Sequence, residues 1–268
     1  CLKDPSMTKR FLIAAVVLMA GAALSSPSSG CESQTDSLRN VFTVRLAEDE
    51  AAFVYLGASA VIIRTAQGAV IIDPAAYLLE EDMALLRGRP VDAVLYTHDH
   101  GDHFDRETAI RLFEATGAAV GGEARVVREL KKDGSLPAGK IMDFTPGRPR
   151  TVGAWTITPV SGSHLVPILL FHLAAGGNRL FHAGDSAAVP LADLACGLAF
   201  LPTGDPSFAH LVPADALKMA LDLKPQVAVV FHGTGDGHGE FTDLIQDRMP
   251  GTKVIIPEAL KVYTVRVR

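Results

Sequence analysis

The feature that most constrains the fold is a nine-residue run, Thr97-His98-Asp99-His100-Gly101-Asp102-His103-Phe104-Asp105, set between a strand pattern and a helix pattern. Upstream, Val91 to Tyr96 is apolar and rich in β-formers, as a buried strand requires. Downstream, Arg106 to Thr116 carries Ile110, Leu112, Phe113 and Ala115 at spacings that suit a helix, with Asp105 placed to cap it. The run therefore lies on a strand-to-helix loop, where α/β sheets gather their chemistry.

Three of the nine histidines fall within six positions of this loop, which argues against a surface loop that merely happens to be histidine-rich. Neutral imidazole nitrogens and carboxylate oxygens are the donors that borderline cations such as Zn²⁺ accept at roughly 2 Å. His98 and His100 are two apart, so in an extended loop they point the same way and can grip one ion. Asp102 and His103 turn with the chain and can reach a second.

The rest of the chain supplies the scaffold. With 268 residues, 48% hydrophobic and 21% charged, one sizeable core is within reach. A net charge of −5 offers no basic stripe, so nucleic acid is not an expected partner. Met7 is the expected initiator; Lys9 and Arg10, the apolar run Phe11 to Leu24 and the small residues up to Cys31 follow the order of an export signal. The apolar run is short for a membrane span, although an uncleaved anchor is the competing reading. Gly30-Cys31 resembles the end of a bacterial lipobox, which implies lipidation at Cys31 and membrane contact through that anchor alone. The expected location is the periplasm or cell envelope, otherwise outside the cell. Residues 1–31 are thus expected to be the signal, 32–40 a polar tether, and 41–268 one folded domain. Cys196, in the apolar setting Leu194-Ala195-Cys196-Gly197-Leu198, is expected to be a small buried residue and not a nucleophile.

Strands are expected at Val41–Leu46, Ala52–Leu56, Val61–Arg64 and Ala69–Ile72, the last two forming a hairpin turned at Gln67-Gly68. A helix over Tyr77–Leu86, the strand and helix around the histidine loop, a strand at Ala118–Gly121 and a helix at Ala124–Lys132 follow. Gly139 to Leu173 holds short β-like runs among prolines. Further strands are expected at Arg179–His182, Leu198–Leu201, Val227–Phe231, Val254–Ile256 and Val262–Val267, with helices at Pro213–Leu223 and Gly239–Gln246. Strand-rich blocks interleaved with helices in both halves suit an α/β sandwich of two sheets with helices outside.

Two ions need more donors, and strand ends are where to seek them. His164 follows the run Trp155 to Val160 and a turn, and suits the first ion. Asp185 follows Arg179 to His182 and can bridge both ions; His232 closes Val227 to Phe231 and can complete the second. Asp73 ends another strand and can orient a ligand histidine through its second nitrogen. His238, in Asp236-Gly237-His238-Gly239, competes with His232 as a flexible-loop alternative. His182 can support the site or pack in the core, while His172 and His210 are expected to be structural or superficial.

These residues together resemble the metallo-β-lactamase superfamily of metal-dependent hydrolases. Its H-x-H-x-D-H motif matches His98, His100, Asp102 and His103, and its later ligands match His164, Asp185 and His232. The resemblance implies a four-layer αββα sandwich of two mixed sheets. Within the superfamily the chain is similar to L-ascorbate-6-phosphate lactonase-like proteins, in Tyr55-Leu56-Gly57, Val70-Ile71-Ile72-Asp73-Pro74, His182-Ala183-Gly184-Asp185, Leu201-Pro202-Thr203-Gly204 and Phe231-His232. Ala58 stands where related proteins often carry a histidine, and Cys196 is not placed to act as the cysteine ligand of the commonest di-zinc β-lactamases. The implied activity is hydrolysis of a lactone or other ester by a hydroxide bridging two divalent cations, Zn²⁺ ahead of Mn²⁺ or Fe, with Asp102 as ligand and catalytic carboxylate. The expected substrate is a small or lipid-derived molecule. A phosphodiesterase of phospholipase D type, a mononuclear iron redox enzyme and a non-catalytic metal-binding envelope protein are the alternatives.

Overall fold

The computed structural model describes residues 34–204 and 211–267. The export signal, Cys31 and His210 lie outside the described residues. Residues Glu32–Arg268 form one compact unit, and no described helix is long and apolar enough to cross a membrane.

The described residues open with a helix where a tether was expected. Helix α1 spans Gln34–Thr43 and buries Ser37, Leu38, Val41 and Phe42. Leu38, Val41 and Phe42 follow the i, i+3, i+4 rule, and their burial, worth roughly 1.5–3 kcal/mol per side chain, holds the segment down. Gln34 Nε2 donates to the Tyr77 carbonyl at 2.8 Å, and Ser37 Oγ donates to the Leu260 carbonyl. The expected tether over 32–40 and the expected strand Val41–Leu46 are therefore both corrected. The β-branched residues after Asn40 mimic a strand, but the preceding leucine sets a helical stripe.

The first sheet runs β14-β1-β2-β3-β4-β5-β6. Its strands are β1 (Glu50–Gly57), β2 (Ala60–Thr65), β3 (Ala69–Ile72), β4 (Val91–Tyr96), β5 (Ala119–Gly122), β6 (Ile141–Asp143) and β14 (Val262–Arg266). The second runs β13-β12-β11-β10-β9-β8-β7, built from β7 (Arg150–Val152), β8 (Trp155–Ser161), β9 (Leu169–Ala175), β10 (Asn178–His182), β11 (Leu198–Gly204), β12 (Val227–Gly233) and β13 (Lys253–Ile255). Both sheets mix parallel and antiparallel pairs, and β2–β3 is the expected hairpin.

Residue alternation explains the layers. Phe53, Ile63, Val70 and Leu95 face Trp155, Phe171, Leu180 and Phe200 in a core between the sheets. Their strand neighbours Val54, Ile62, Ile71 and Val94 face outward onto α1, α2 (Glu80–Leu86), α3 (Arg106–Thr116) and α4 (Ala124–Leu130). On the far side, Ala199, Leu201, Ala228 and Val230 pack beneath α5 (Pro213–Leu223) and α6 (Gly235–Arg248). Strands covered on both faces read as unbroken apolar runs. The result is the αββα sandwich.

Candidate metal centre

Every candidate ligand sits just past the end of a strand except His232, which is the penultimate residue of β12. β4 ends at Tyr96 and delivers the histidine loop; α3 then starts where expected, with the Asp105 carboxylate accepting the Thr108 N–H at 2.7 Å. β8, β10 and β12 deliver His164, Asp185 and His232. The turn before Asp185 needs Gly184, whose φ is +50° and where any Cβ would meet the Thr97 side chain at 2.9 Å.

The structure brings all seven candidates together in two groups. His98, His100 and His164 form one, and Asp102, His103, Asp185 and His232 the other, each with its donor atoms within 4.8 Å of one another. In the first, His164 Nε2 lies 3.4 Å from His100 Nδ1. In the second, Asp185 Oδ2 lies 3.0 Å from His103 Nε2 and 3.1 Å from His232 Nε2. Asp102 Oδ2 completes it, 3.2 Å from His232 Nε2 and 3.7 Å from His103 Nε2.

Behind both groups lies the buried Asp73 carboxylate. Its Oδ1 accepts the Thr97 N–H at 2.7 Å, and its Oδ2 accepts the Thr97 hydroxyl at 2.6 Å, the Ser59 hydroxyl at 3.1 Å and His103 Nδ1–H at 2.9 Å. A carboxylate can only accept, so His103 carries its hydrogen on Nδ1 and turns Nε2 toward the centre. The Thr97 hydroxyl has given its one hydrogen to Asp73, so it accepts from His98 Nδ1 at 3.0 Å. His98 Nε2 is thereby left as a bare lone pair, buried and without a hydrogen-bond partner. Such an orphan is costly unless something binds it, and a cation is what an imidazole lone pair among two more imidazoles suits. Asp185 Oδ1 is likewise buried and unpartnered. The donor set fits divalent ions.

Electrostatics sort the groups. Burial, then His103, pushes the His98 imidazole down to about 3, so it stays neutral. Burial also lowers His164. Burial opposes a proton on His103 too, but Asp73 and Asp185 prevail and raise it to about 10. His232, against its own burial, is raised by Asp102, and the Asp102 carboxyl is held well below the usual range by that hydrogen bond. Burial would lift the Asp73 carboxyl; the surrounding imidazoles, His103 first, bring it to about 2.

The backbone is strained around the centre, as functional sites often are. Ala58, Asp73, Ala75 and His232 have φ of 42°, 49°, 41° and 42°. The His232 N–H donates to the Ala58 carbonyl at 3.2 Å, and the Ala75 N–H to the His103 carbonyl at 3.0 Å. Ala58 thus serves the site through its backbone.

Other histidines stand apart. His238 lies in the first turn of α6, not in a flexible loop, and its Nδ1 is 2.6 Å from Thr203 Oγ1. His182 is buried, with Nε2 donating to the Ser59 carbonyl at 2.9 Å and Nδ1 accepting the Gly184 N–H at 3.2 Å; it braces the residues that hold Asp73 and Asp185. His172 Nε2 is 3.5 Å from the Ala195 carbonyl. Cys196 is buried, its thiol pushed up to about 12 by that burial. Ser59 and the Thr97 hydroxyl are the supporting groups that residue spacing did not mark; Thr97 adjoins the first histidine, but nothing near Ser59 in the chain hints at Asp73.

Comparison with known proteins agrees with this geometry. Residues 68–233 match the model of the beta-lactamase superfamily domain. Over 189 residues the chain is 32% identical to a UPF0173 metal-dependent hydrolase of Thermus thermophilus, covering 66% of this chain and 81% of that one. Among solved structures, a metallo hydrolase from Ignicoccus hospitalis superposes with a TM-score of 0.66 at 20% identity, covering 81% of this chain and 99% of the other. The metallo-beta-lactamase fold protein YhfI from Bacillus subtilis gives 0.65 at 16% identity, with 81% and 100% covered. The chain therefore belongs to the beta-lactamase superfamily, as a metal-dependent hydrolase of the metallo-β-lactamase fold within the UPF0173 group.

Proposed function

We propose that the chain hydrolyses a lactone or other carboxylic ester, using two divalent cations, Zn²⁺ foremost, one held by each ligand group. The observation that carries this reading is the pair of donor sets lying side by side, with the His98 and His103 ring centroids 4.0 Å apart. Two such ions supply hydroxide near neutral pH and a Lewis acid for the carbonyl.

The protein's own part follows from its hydrogen bonds. Asp73, through Thr97 and directly, fixes His98 and His103 in the tautomers that present Nε2. Asp185, buried, turns Oδ2 to His103 and His232 and leaves Oδ1 unpartnered, the oxygen that would serve as a further ligand. Asp102 is half-exposed on its loop, so its carboxylate is the one able to meet an incoming water and orient it toward the carbonyl carbon.

Phosphodiester hydrolysis is the second reading, favoured by Arg125, whose partly exposed guanidinium lies 3.8 Å from Asp99, between the first two ligands. A guanidinium at that place suits phosphate oxygens. Metal analysis of purified protein, followed by a panel of lactones, esters and phosphodiesters with and without chelator, separates the readings. Two zinc ions per chain and chelator-sensitive ester turnover are expected; turnover of phosphodiesters alone overturns the ester reading.

A further inference from the structure

A cavity of about 330 Å³ is walled in part by the segments that carry the three-histidine group, at the small end of the range for small-molecule sites, roughly 300–1,000 Å³. Its walls share backbone with the centre. Gly162 lines it, and the Gly162 N–H donates to the Ile168 carbonyl at 3.1 Å, closing the loop that carries His164. Leu169, another wall residue, donates its N–H at 2.9 Å to the carbonyl of Thr97, the residue before His98. Glu123, opposite, donates its N–H at 3.2 Å to the carbonyl of Tyr96, at the end of β4.

The lining tells what can enter. Phe144, Pro146, Pro167, Ile168 and Leu169 give it apolar surface, and Ser161 adds one hydroxyl. Leu165, next to His164 and in the same loop as the wall residues Gly162, Pro167 and Ile168, is 68% exposed. Glu123 is the one charged wall residue, 7% exposed, with Oε2 accepting the Arg125 N–H at 2.7 Å. An anion lodged here would face that carboxylate, and a group with several hydroxyls would find only Ser161 and Glu123 side chains to pair with, at a few kcal/mol for each hydroxyl left unpaired. A neutral apolar chain suffers neither penalty.

We infer that this cavity receives the apolar acyl arm of the substrate, so that the enzyme acts on medium-chain acyl esters or alkyl-substituted lactones and not on sugar phosphates. The inference rests on the hydrolase reading and adds the substrate class to it. With the arm seated, the acyl carbon lies toward His98, His100 and His164. Water adds its oxygen to that carbon, the bond from the carbon to the alcohol oxygen breaks, and the alcohol oxygen takes the proton. The arm leaves with the acid.

Ala124 makes the test possible, because it lines the cavity yet is exposed as the first residue of α4, where added bulk does not disturb the core. Zinc-loaded full chain is assayed on the p-nitrophenyl esters of acetate, butyrate, hexanoate and octanoate. The expected kcat/KM rises from acetate to octanoate by about tenfold or more, Ala124→Phe removes most of that rise, and Leu165→Ser removes part of it. A flat profile in the parent, or the same rise in both variants, overturns the inference. Calorimetric titration with octanamide, which is not an ester, separates this from the hydrolase reading. Binding by the parent and by Asp102→Asn, weakened about tenfold in Ala124→Phe, supports the arm site even where no ester is turned over, an outcome that sinks only the hydrolase reading. Octanamide binding to none of the three overturns the arm site.

Discussion

His98, His100 and His164 offer neutral nitrogens alone, whereas Asp102, His103, Asp185 and His232 offer two imidazoles and two carboxylates. The first group is kept uncharged by burial, with His98 at about 3. The second is internally paired, with contacts of 3.0–3.2 Å between its imidazoles and carboxylates. Three neutral donors would leave a bound dication its charge for a substrate oxygen, whereas two carboxylates would largely neutralise it. The histidine side is therefore the side suited to polarise a carbonyl, and its loops share backbone hydrogen bonds with the walls of the cavity. The carboxylate side is suited to hold and orient water.

The sharpest way to break this comparison is at Asp185, the buried carboxylate of the second group, whose Oδ1 has no partner. Asp185→Asn keeps shape and removes charge, and is expected to lower turnover by about a thousandfold, the upper end for one electrostatic group at a reacting centre. Metal content is expected to fall from two ions per chain toward one. Two ions retained with turnover intact would mean that Asp185 does not join the groups.

Next in size is Asp73→Asn, which leaves both ligand sets in place but removes the charge and turns one of the two accepting oxygens into a donor, disturbing the tautomers they fix. Supporting acceptors of this kind are worth roughly 10–100-fold in metal affinity or activity. Because His103 bonds Asp73 directly and His98 only through Thr97, the ion on the carboxylate side is expected to be lost first in a chelator titration. Simultaneous loss would show that the two sides are one thermodynamic unit.

How much of this was legible in the chain depends on whether a residue acts through its neighbours in sequence or only in space. The seven donors were legible because each follows an apolar run closely, and a strand buried on both faces announces its own end. Asp73 was legible for the same reason. Ser59 was not, since its partner lies fourteen residues on and is reached only after the β2–β3 hairpin folds back. Helix α1 was misread because Val41 to Leu46 has strand composition, while its helical stripe begins earlier, at Leu38. His238 was taken for loop because three glycines surround it in sequence, yet the Thr234 hydroxyl caps the Gly237 N–H at 3.3 Å and starts α6 there.

Thr97 and Ser59 allow the two sides to be perturbed separately and more gently. Thr97→Val removes the acceptor for His98 Nδ1, and Ser59→Ala removes the hydroxyl 2.8 Å from His103 Nδ1. One hydrogen bond is worth about 0.5–1.5 kcal/mol, so each change is expected to weaken zinc affinity by a factor of roughly two to ten. The effect should fall on the histidine-side ion in Thr97→Val and on the carboxylate-side ion in Ser59→Ala. Cobalt substitution, read by its visible spectrum, assigns which ion is disturbed; the same spectrum in both variants would count against the separate wiring.

The smallest effect is expected at His238, the histidine that competes with His232 in sequence. Its Nδ1 is committed to Thr203 at 2.6 Å, and it belongs to neither donor group. His232, by contrast, touches both carboxylates of the second group. His238→Asn should therefore keep two zinc ions per chain and change kcat/KM by about twofold at most, within the scatter of a surface substitution of ±0.5 kcal/mol. His232→Asn should lose the carboxylate-side ion under the same conditions. If the two variants exchange these outcomes, the second group is completed from α6 and not from the end of β12, and the separation of a neutral side from an acidic side must be redrawn around a different imidazole.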